Sequence, residues 1–165
     1  MSELEILKII DKNQISIVVT LATEIWNEHF TPIIGSAQVD YMLLKFQSEN
    51  AINEQINQGY QYYLFSSNHK NIGYMAIKQG KYDLTLSKLY IASSERGKGH
   101  ARQAIHLVQR LAGQLGVKKI TLGVNKNNIN TINVYEALGF NTTKSVVLDI
   151  GGGFYMDDYT MEKIL

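Results

Sequence analysis

The stretch Ile91–Leu115, IASSERGKGHARQAIHLVQRLAGQL, decides the fold. It reads as the end of a strand, a glycine loop and a helix. Ala101, Ala104, Ile105, Val108, Leu111, Ala112 and Leu115 recur at intervals of three and four, so one face of the helix is apolar and packs on a sheet, while Arg102, Gln103, Gln109 and Arg110 fall elsewhere. Just before the helix, Arg96-Gly97-Lys98-Gly99-His100-Ala101 holds two residues without a Cβ. The backbone can bend there and aim several amide N–H groups outward at the positive end of the helix dipole. Such a cradle suits a pyrophosphate, and a plain tight turn is the equal alternative for the loop taken alone. The dinucleotide-binding fingerprint is incomplete, because Arg102 stands where its third glycine belongs, and no Gly-Lys-Ser/Thr completes a nucleotidase phosphate loop.

Outward from this stretch, the composition narrows the function classes. A chain of 165 residues fits one domain, spanning 1–165, with enough surface to bury a full core. A formal net charge of +1 and a pI near 7.9 provide no basic field for nucleic acid. Cysteine is absent, which removes disulfides, thiol nucleophiles and thiolate metal sites, and is compatible with a reducing compartment. The N-terminal MSELEILKII lacks a basic-then-apolar signal pattern, and the longest apolar run, Ile15 to Ala22, is too short to span a bilayer. The expectation is a cytoplasmic protein with no metal, no nucleic-acid partner and no membrane partner.

Taken in order, Glu3 to Ile10 reads as a strand, and Asp11 with Gln14 as an N-cap pair for a helix whose buried stripe is Val18, Leu21, Ala22 and Ile25. Pro32 and Gly35 break the chain before Ser36, expected to cap a helix through Met42, Leu43 and Phe46; a further helix starts at Ser48 or Asn50 and ends at Gly59. Tyr60–Ser66 and Ile72–Lys78 are strand-like runs joined by a turn of hairpin composition. Leu84–Ala92 is the strand that feeds the glycine loop, and Gly116 closes the helix that follows. Lys119–Val124 is then a parallel neighbour of Leu84–Ala92 through a right-handed crossover. A polar loop, Asn125–Asn130, precedes a short helix, Thr131–Leu138. Thr142–Ile150 and Asp157–Lys163 close the chain as two strands around Gly151-Gly152-Gly153.

The strand SKLYIASSE, the loop RGKGHA with its helix, and NNINTINVYEALGF about thirty residues later together resemble the GNAT superfamily of N-acetyltransferases. The resemblance implies a single α/β (α+β) domain with a central mixed, mostly antiparallel sheet, one parallel strand pair and helices on both faces. It implies acetyl-CoA as cosubstrate, with its pyrophosphate on Arg96, Gly97, Lys98, Gly99, His100 and Ala101 and its pantetheine arm along the backbone of Leu89, Tyr90 and Ile91. Asn128 and Tyr135 match the second motif, an Asn seven residues ahead of a Tyr, where the Tyr is usually the general acid. Thr131 stands where alanine is commoner in the family.

Chemistry supports the same roles. Amine attack on a thioester expels a thiolate whose conjugate acid has a pKa of about 8.5, and a phenol of pKa about 10 can protonate it or hydrogen-bond it. Chemistry alone leaves Tyr135 free to be a packing residue, and the motif makes it catalytic. The acceptor must also lose a proton, since an alkylammonium of pKa about 10.4 is neutral in roughly one molecule in 2,500 at pH 7. The glutamate that many family members carry on the strand before the loop is missing here. A water held by Thr85 or Ser87, or a side chain from Glu28, His29 or Asp157, is the substitute.

The chain ends, WNEHF and GGGFYMDDYTMEKIL, are more loosely similar to the branch that acetylates polyamines such as spermidine and spermine. Glu24, Glu28, Asp157, Asp158, Trp26, Tyr155 and Tyr159 would hold the charges of such a substrate. Aminoglycosides, lysines and peptide N-termini stay open as acceptors, as does a non-catalytic acyl-CoA sensor. A nucleotide-binding module is disfavoured by the incomplete glycine pattern. The expected partner is a small-molecule amine, and a homodimer is an allowed assembly.

Overall fold

The computed structural model describes residues 3–165. Its elements run β1 (Glu5–Lys8), α1 (Lys12–His29), α2 (Thr31–Ile34), α3 (Ser36–Phe46), α4 (Glu49–Asn57), β2 (Gln61–Ser67), β3 (Lys70–Gln79), β4 (Asp83–Ile91), α5 (His100–Leu115), β5 (Lys119–Asn125), α6 (Ile129–Ala137), β6 (Asn141–Gly151) and β7 (Phe154–Ile164), with one 3₁₀ turn at Ser93–Glu95. The strands form a single sheet in the order β1-β2-β3-β4-β5-β7-β6. Every neighbouring pair is antiparallel except β4 and β5, so the expected fold class is the observed one.

Period-two alternation divides the sheet between two cores. Phe65, Met75, Ile77, Leu84, Leu86 and Ile120 join the core under α5 and α6. Tyr62, Leu64, Tyr74 and Ala76 join the core under α1, α3 and α4. Helix α5 presents Ala104, Ile105, Val108 and Ala112 to the sheet, all fully buried, and each large apolar side chain among them contributes roughly 1.5–3 kcal/mol. The stripe read from the sequence is shifted at its ends: Leu115 is 44 % exposed, and buried His100 roots the first turn. Gly116 ends the helix in the left-handed region, φ 73°, as the sequence implied.

Asp11 and Gln14 form the expected capping box on α1, with Gln14 N–H donating to Asp11 Oδ1 at 2.9 Å. Asn68 and His69, at φ 51° and 61°, make the two-residue turn between β2 and β3. Several boundaries differ from the sequence reading, most by one or two residues. Strand β1 is shorter, because only Glu5–Lys8 pair with β2. Ser36 is the first residue of α3 and Gly35 its N-cap, since the extra turn α2 delivers the chain at φ 86°. Helix α6 starts two residues early, at Ile129, and β7 starts at Phe154. Tyr41 holds the glycine turn between β6 and β7: its hydroxyl donates to Ile150 O at 2.6 Å, and its ring lies where a Cβ on Gly152 would come within 2.8 Å.

Candidate functional site

The site begins where the parallel pair stops. β4 and β5 pair only from Asp83–Leu86 to Lys119–Leu122, yet β4 continues to Ile91 and β5 to Asn125. A bulge marks the divergence: Ile77 pairs with Leu86 and Ala76 with Lys88, leaving Ser87 unopposed. Beyond it, the β5-facing edge of Leu89, Tyr90 and Ile91 keeps backbone groups with no strand partner, while β5 is occupied by β7. The wedge opens into a cavity of about 1090 Å³, lined by these residues, the glycine loop, the start of α6 and the end of α1.

The loop has the geometry of an anion cradle. Gly99, at φ 83°, is the N-cap of α5 and no side chain caps the helix, so its first amides face the cavity without a side-chain partner. Gly97 is also left-handed, at φ 76°. A Cβ on either glycine would meet no protein atom within 4 Å and would instead fill the space in front of the amides. Arg96 is anchored from below by its Nε, which donates to Ile91 O at 3.1 Å. Gly97, Gly99, His100 and Ala101 line the cavity, whereas Lys98 turns outward and pairs with Glu95 at 2.9 Å.

His29, foreseen only as an acceptor-side residue, links the two motifs. Its Nδ1 lies 3.3 Å from an Arg96 guanidinium nitrogen and its Nε2 lies 3.0 Å from Asn128 Oδ1. Arginine only donates, so Nδ1 accepts, Nε2 carries the hydrogen, and the imidazole is neutral. Asn128 is thereby drawn from the capping role its position offers: it is the N-cap of α6 but makes no side-chain cap. Burial lowers the His29 pKa below 6.5; the Asn128 hydrogen bond pushes it back up, Arg96 lowers it and Glu28 raises it.

A depressed folded pKa means that the unfolded chain binds more protons as pH falls through 6.5 and below. This contribution to stability is therefore present above pH 6.5 and lost beneath it. Replacing His29 by Gln should flatten the fall in Tm between pH 7.5 and 5.5 relative to the parent. Asp158 titrates nearby with the opposite sign, so the difference between the two proteins is the quantity that reads His29. Parallel Tm curves would remove the neutral bridge.

On the acceptor side, Trp26, Phe30, Tyr90, Ile34 and Met42 line the cavity, with Trp26 and Phe30 ring centroids 4.4 Å apart and Trp26 and Tyr90 5.4 Å apart. Tyr135, 7 % exposed, packs on Phe140 and faces the same space, and burial raises its pKa above the ordinary phenol value. Thr85 and Ser87 also reach the wall. Five expected residues do not: Glu24, Tyr155 and Tyr159 lie off the wall, and so do Glu28 and Asp157. Glu28 is exposed and accepts from Ser93 Oγ at 2.6 Å, because its position on α1 turns away from the stripe carrying Ile25 and Trp26. Asp157 is exposed and pairs with Lys126 at 2.5 Å, because alternation along β7 sends it to the face opposite Asp158, which does line the cavity.

Lys88 has no role in the sequence reading, yet it lies buried in the cavity wall on β4. It donates to Phe46 O at 2.7 Å, to Gln55 Oε1 at 2.9 Å and to the Tyr62 hydroxyl. These bonds tie β4 to the C-terminal end of α3 and to α4, and burial pulls the ammonium down to about 7. Unbroken alternation would put it on the face of Leu84 and Leu86; the bulge at Ser87 turns it to the opposite face, with Ala76 and Tyr62, and nothing in the sequence signals that bulge.

Among the described residues no cluster of three His, Cys, Asp or Glu side chains could hold a metal, and no helix is long and apolar enough to cross a membrane.

Comparison with known proteins gives this wedge a family. An uncharacterized N-acetyltransferase of Mycobacterium tuberculosis is 34% identical over 97 residues, covering 57% of this chain and 60% of the relative. The chain thus aligns with about three fifths of that relative's length. The PaiA N-acetyltransferase of Thermoplasma acidophilum, solved in complex with coenzyme A, shares the fold at a TM-score of 0.81 with 18% identity, covering 99% of each chain. A spermidine N-acetyltransferase of Vibrio cholerae aligns at 0.68 with 20% identity over 98% of this chain and 93% of its own. The profile of the Acetyltransferase (GNAT) family matches residues 20–140, and the chain belongs to that family.

Proposed function

We propose that this protein transfers an acetyl group from acetyl-CoA to a primary amine by direct attack, with both substrates in the wedge between β4 and β5. The carrying observation is one cavity that joins uncapped amides at a helix start, a free strand edge and a buried phenol. Acetyl-CoA supplies the thioester. The amides from Gly97 to Ala101 with Arg96 hold its pyrophosphate, the backbone of Leu89, Tyr90 and Ile91 orients its arm, and Asn128, fixed by His29, closes the other side. Tyr135 is the hydrogen-bond and proton donor to the departing sulfur. A non-catalytic acyl-CoA sensor would have no use for a phenol at that position.

The polyamine acceptor suggested by the chain ends finds less support. Of the acids expected to hold several charges, Glu28 and Asp157 lie off the wall and Glu24 is exposed, leaving Asp158.

Two measurements test the reading. Titration calorimetry should show acetyl-CoA binding in the low-micromolar range or tighter, and Gly99→Val should weaken it at least tenfold, since valine both opposes φ 83° and fills the cradle. An assay of CoA release across spermidine, spermine, an aminoglycoside, a lysine peptide, a peptide N-terminus and simple alkylamines should find an amine turned over well above buffer. Unchanged affinity in a folded Gly99→Val protein would sink the pyrophosphate assignment, and turnover with no amine would sink the enzyme.

A further inference from the structure

We propose that Asp158 receives the ammonium group of the acceptor and takes its proton, and that the acceptor is a monoamine with an aromatic or branched apolar body. This rests on the acetyl-transfer reading above and names its missing base and its substrate class.

The base is placed by the strand architecture. Asp158 pairs with Asn125 of β5 and Val146 of β6, and its Oδ2 lies 3.6 Å from where a Cβ on Gly123 would stand. The carboxylate thus lies beside Gly123 at the diverging end of β5, and both residues line the cavity. Among the described residues no cation pairs with it, because Lys126 is engaged by Asp157. The charged and titratable groups around it are Asp157 on its own strand, Lys126 beyond β5, and Tyr90 of β4, whose hydroxyl feels both Tyr135 and Asp158. Burial raises the Asp158 carboxyl to about 6, the neighbouring Asp157 charge adds to the rise, and Lys126 opposes it. It is still about nine-tenths ionised at pH 7, and it is a stronger base than a free aspartate of pKa about 3.9.

The substrate class follows from what surrounds this one carboxylate. Trp26, Phe30, Ile34, Met42, Leu148 and Met156 make the wall apolar. The other ionisable group in that half of the cavity is Lys88, which burial brings to about 7 and whose Nζ is held by Phe46 O, Gln55 and Tyr62, so it offers a polyamine no negative partner. One carboxylate matches one ammonium, and further ammonium groups would be desolvated against aromatic rings and lysine without a partner. An apolar body suits that wall, and its burial lowers the amine pKa, which narrows the gap to Asp158 from the other side.

The reaction balances as ammonium plus thioester giving amide, thiol and one proton. Asp158 takes the first proton and passes it to solvent. The freed lone pair forms the C–N bond at the acetyl carbonyl, the C–S bond breaks, and Tyr135 protonates the sulfur. Tyr135 is restored by the second proton leaving nitrogen.

The experiment compares 2-phenylethylamine and isoamylamine with spermidine for the parent, Asp158→Asn and Asp158→Glu, from pH 5.5 to 9. Calorimetry of 2-phenylethylamine in the presence of CoA supplies a readout without turnover. The parent should favour the monoamines at least tenfold in kcat/KM, with activity falling as pH drops through about 6. Asp158→Asn should lose about a hundredfold in kcat/KM, lose that acidic limb and bind the amine more weakly, while Asp158→Glu recovers part of the rate. Preference for spermidine, or an Asp158→Asn protein with parental rate and pH profile, overturns the inference and leaves acetyl transfer standing. Acetyl-CoA binding without turnover of any amine overturns both.

Discussion

Tyr135→Phe is expected to lower kcat by roughly tenfold to ten-thousandfold while leaving acetyl-CoA affinity nearly intact, the range for losing a general acid. The ring sits on α6 with its centroid 5.7 Å from that of Phe140, and phenylalanine keeps that packing. The change therefore isolates the hydroxyl. Burial raises the phenol's pKa, so Tyr135 stays protonated across the working pH range and its proton is present whenever the sulfur leaves. A departing thiolate left without that proton is poorly stabilised in a cavity walled by Trp26, Phe30 and Tyr90. Steady-state kinetics with the best amine of the panel, beside acetyl-CoA calorimetry, decides the matter. If the variant matches the parent in single-turnover experiments at every pH, Tyr135 is a packing residue and the sulfur is protonated from solvent.

The second large effect is on the fold beneath the site. Gly73 of β3 pairs with Ile91, and a Cβ there would stand 2.3 Å from Tyr90 O, 3.1 Å from Ile91 Cα and 3.3 Å from Phe65 Cδ2. Two of those neighbours are backbone in a paired sheet, which cannot swing aside as a side-chain tip can. Gly73→Ala should cost about 3 kcal/mol by overpacking, and so lower Tm by about 6–12 °C in a domain of this size. The strain falls on Tyr90 and Ile91, whose opposite edge is the one offered to the cosubstrate arm, so acetyl-CoA affinity should fall together with Tm. A melt within 1 °C or so of the parent would mean that β4 moves away cheaply and that the close approach has no structural weight.

The amino-acid sequence determined the frame because its signals are local. The three-and-four spacing from Ala104 to Ala112, the capping pair Asp11 and Gln14, and Gly116 at a helix end each act within a few residues. The strand–loop–helix order carried the parallel pair, and the two motifs carried the family. Tertiary structure decided which polar residues share the cavity. His29 and Asn128 are 99 positions apart and meet only because α1 and the start of α6 converge on the wedge. Asp157 and Asp158 look equivalent in the chain, and one register choice in β7 sends the first to Lys126 and the second to the cavity. Lys88 reads as an ordinary strand residue until α3 and α4 bring Phe46 O and Gln55 over it. Helix periods and turns are written in neighbouring residues, whereas burial, ion pairing and proton affinity depend on groups that only the folded chain brings into contact.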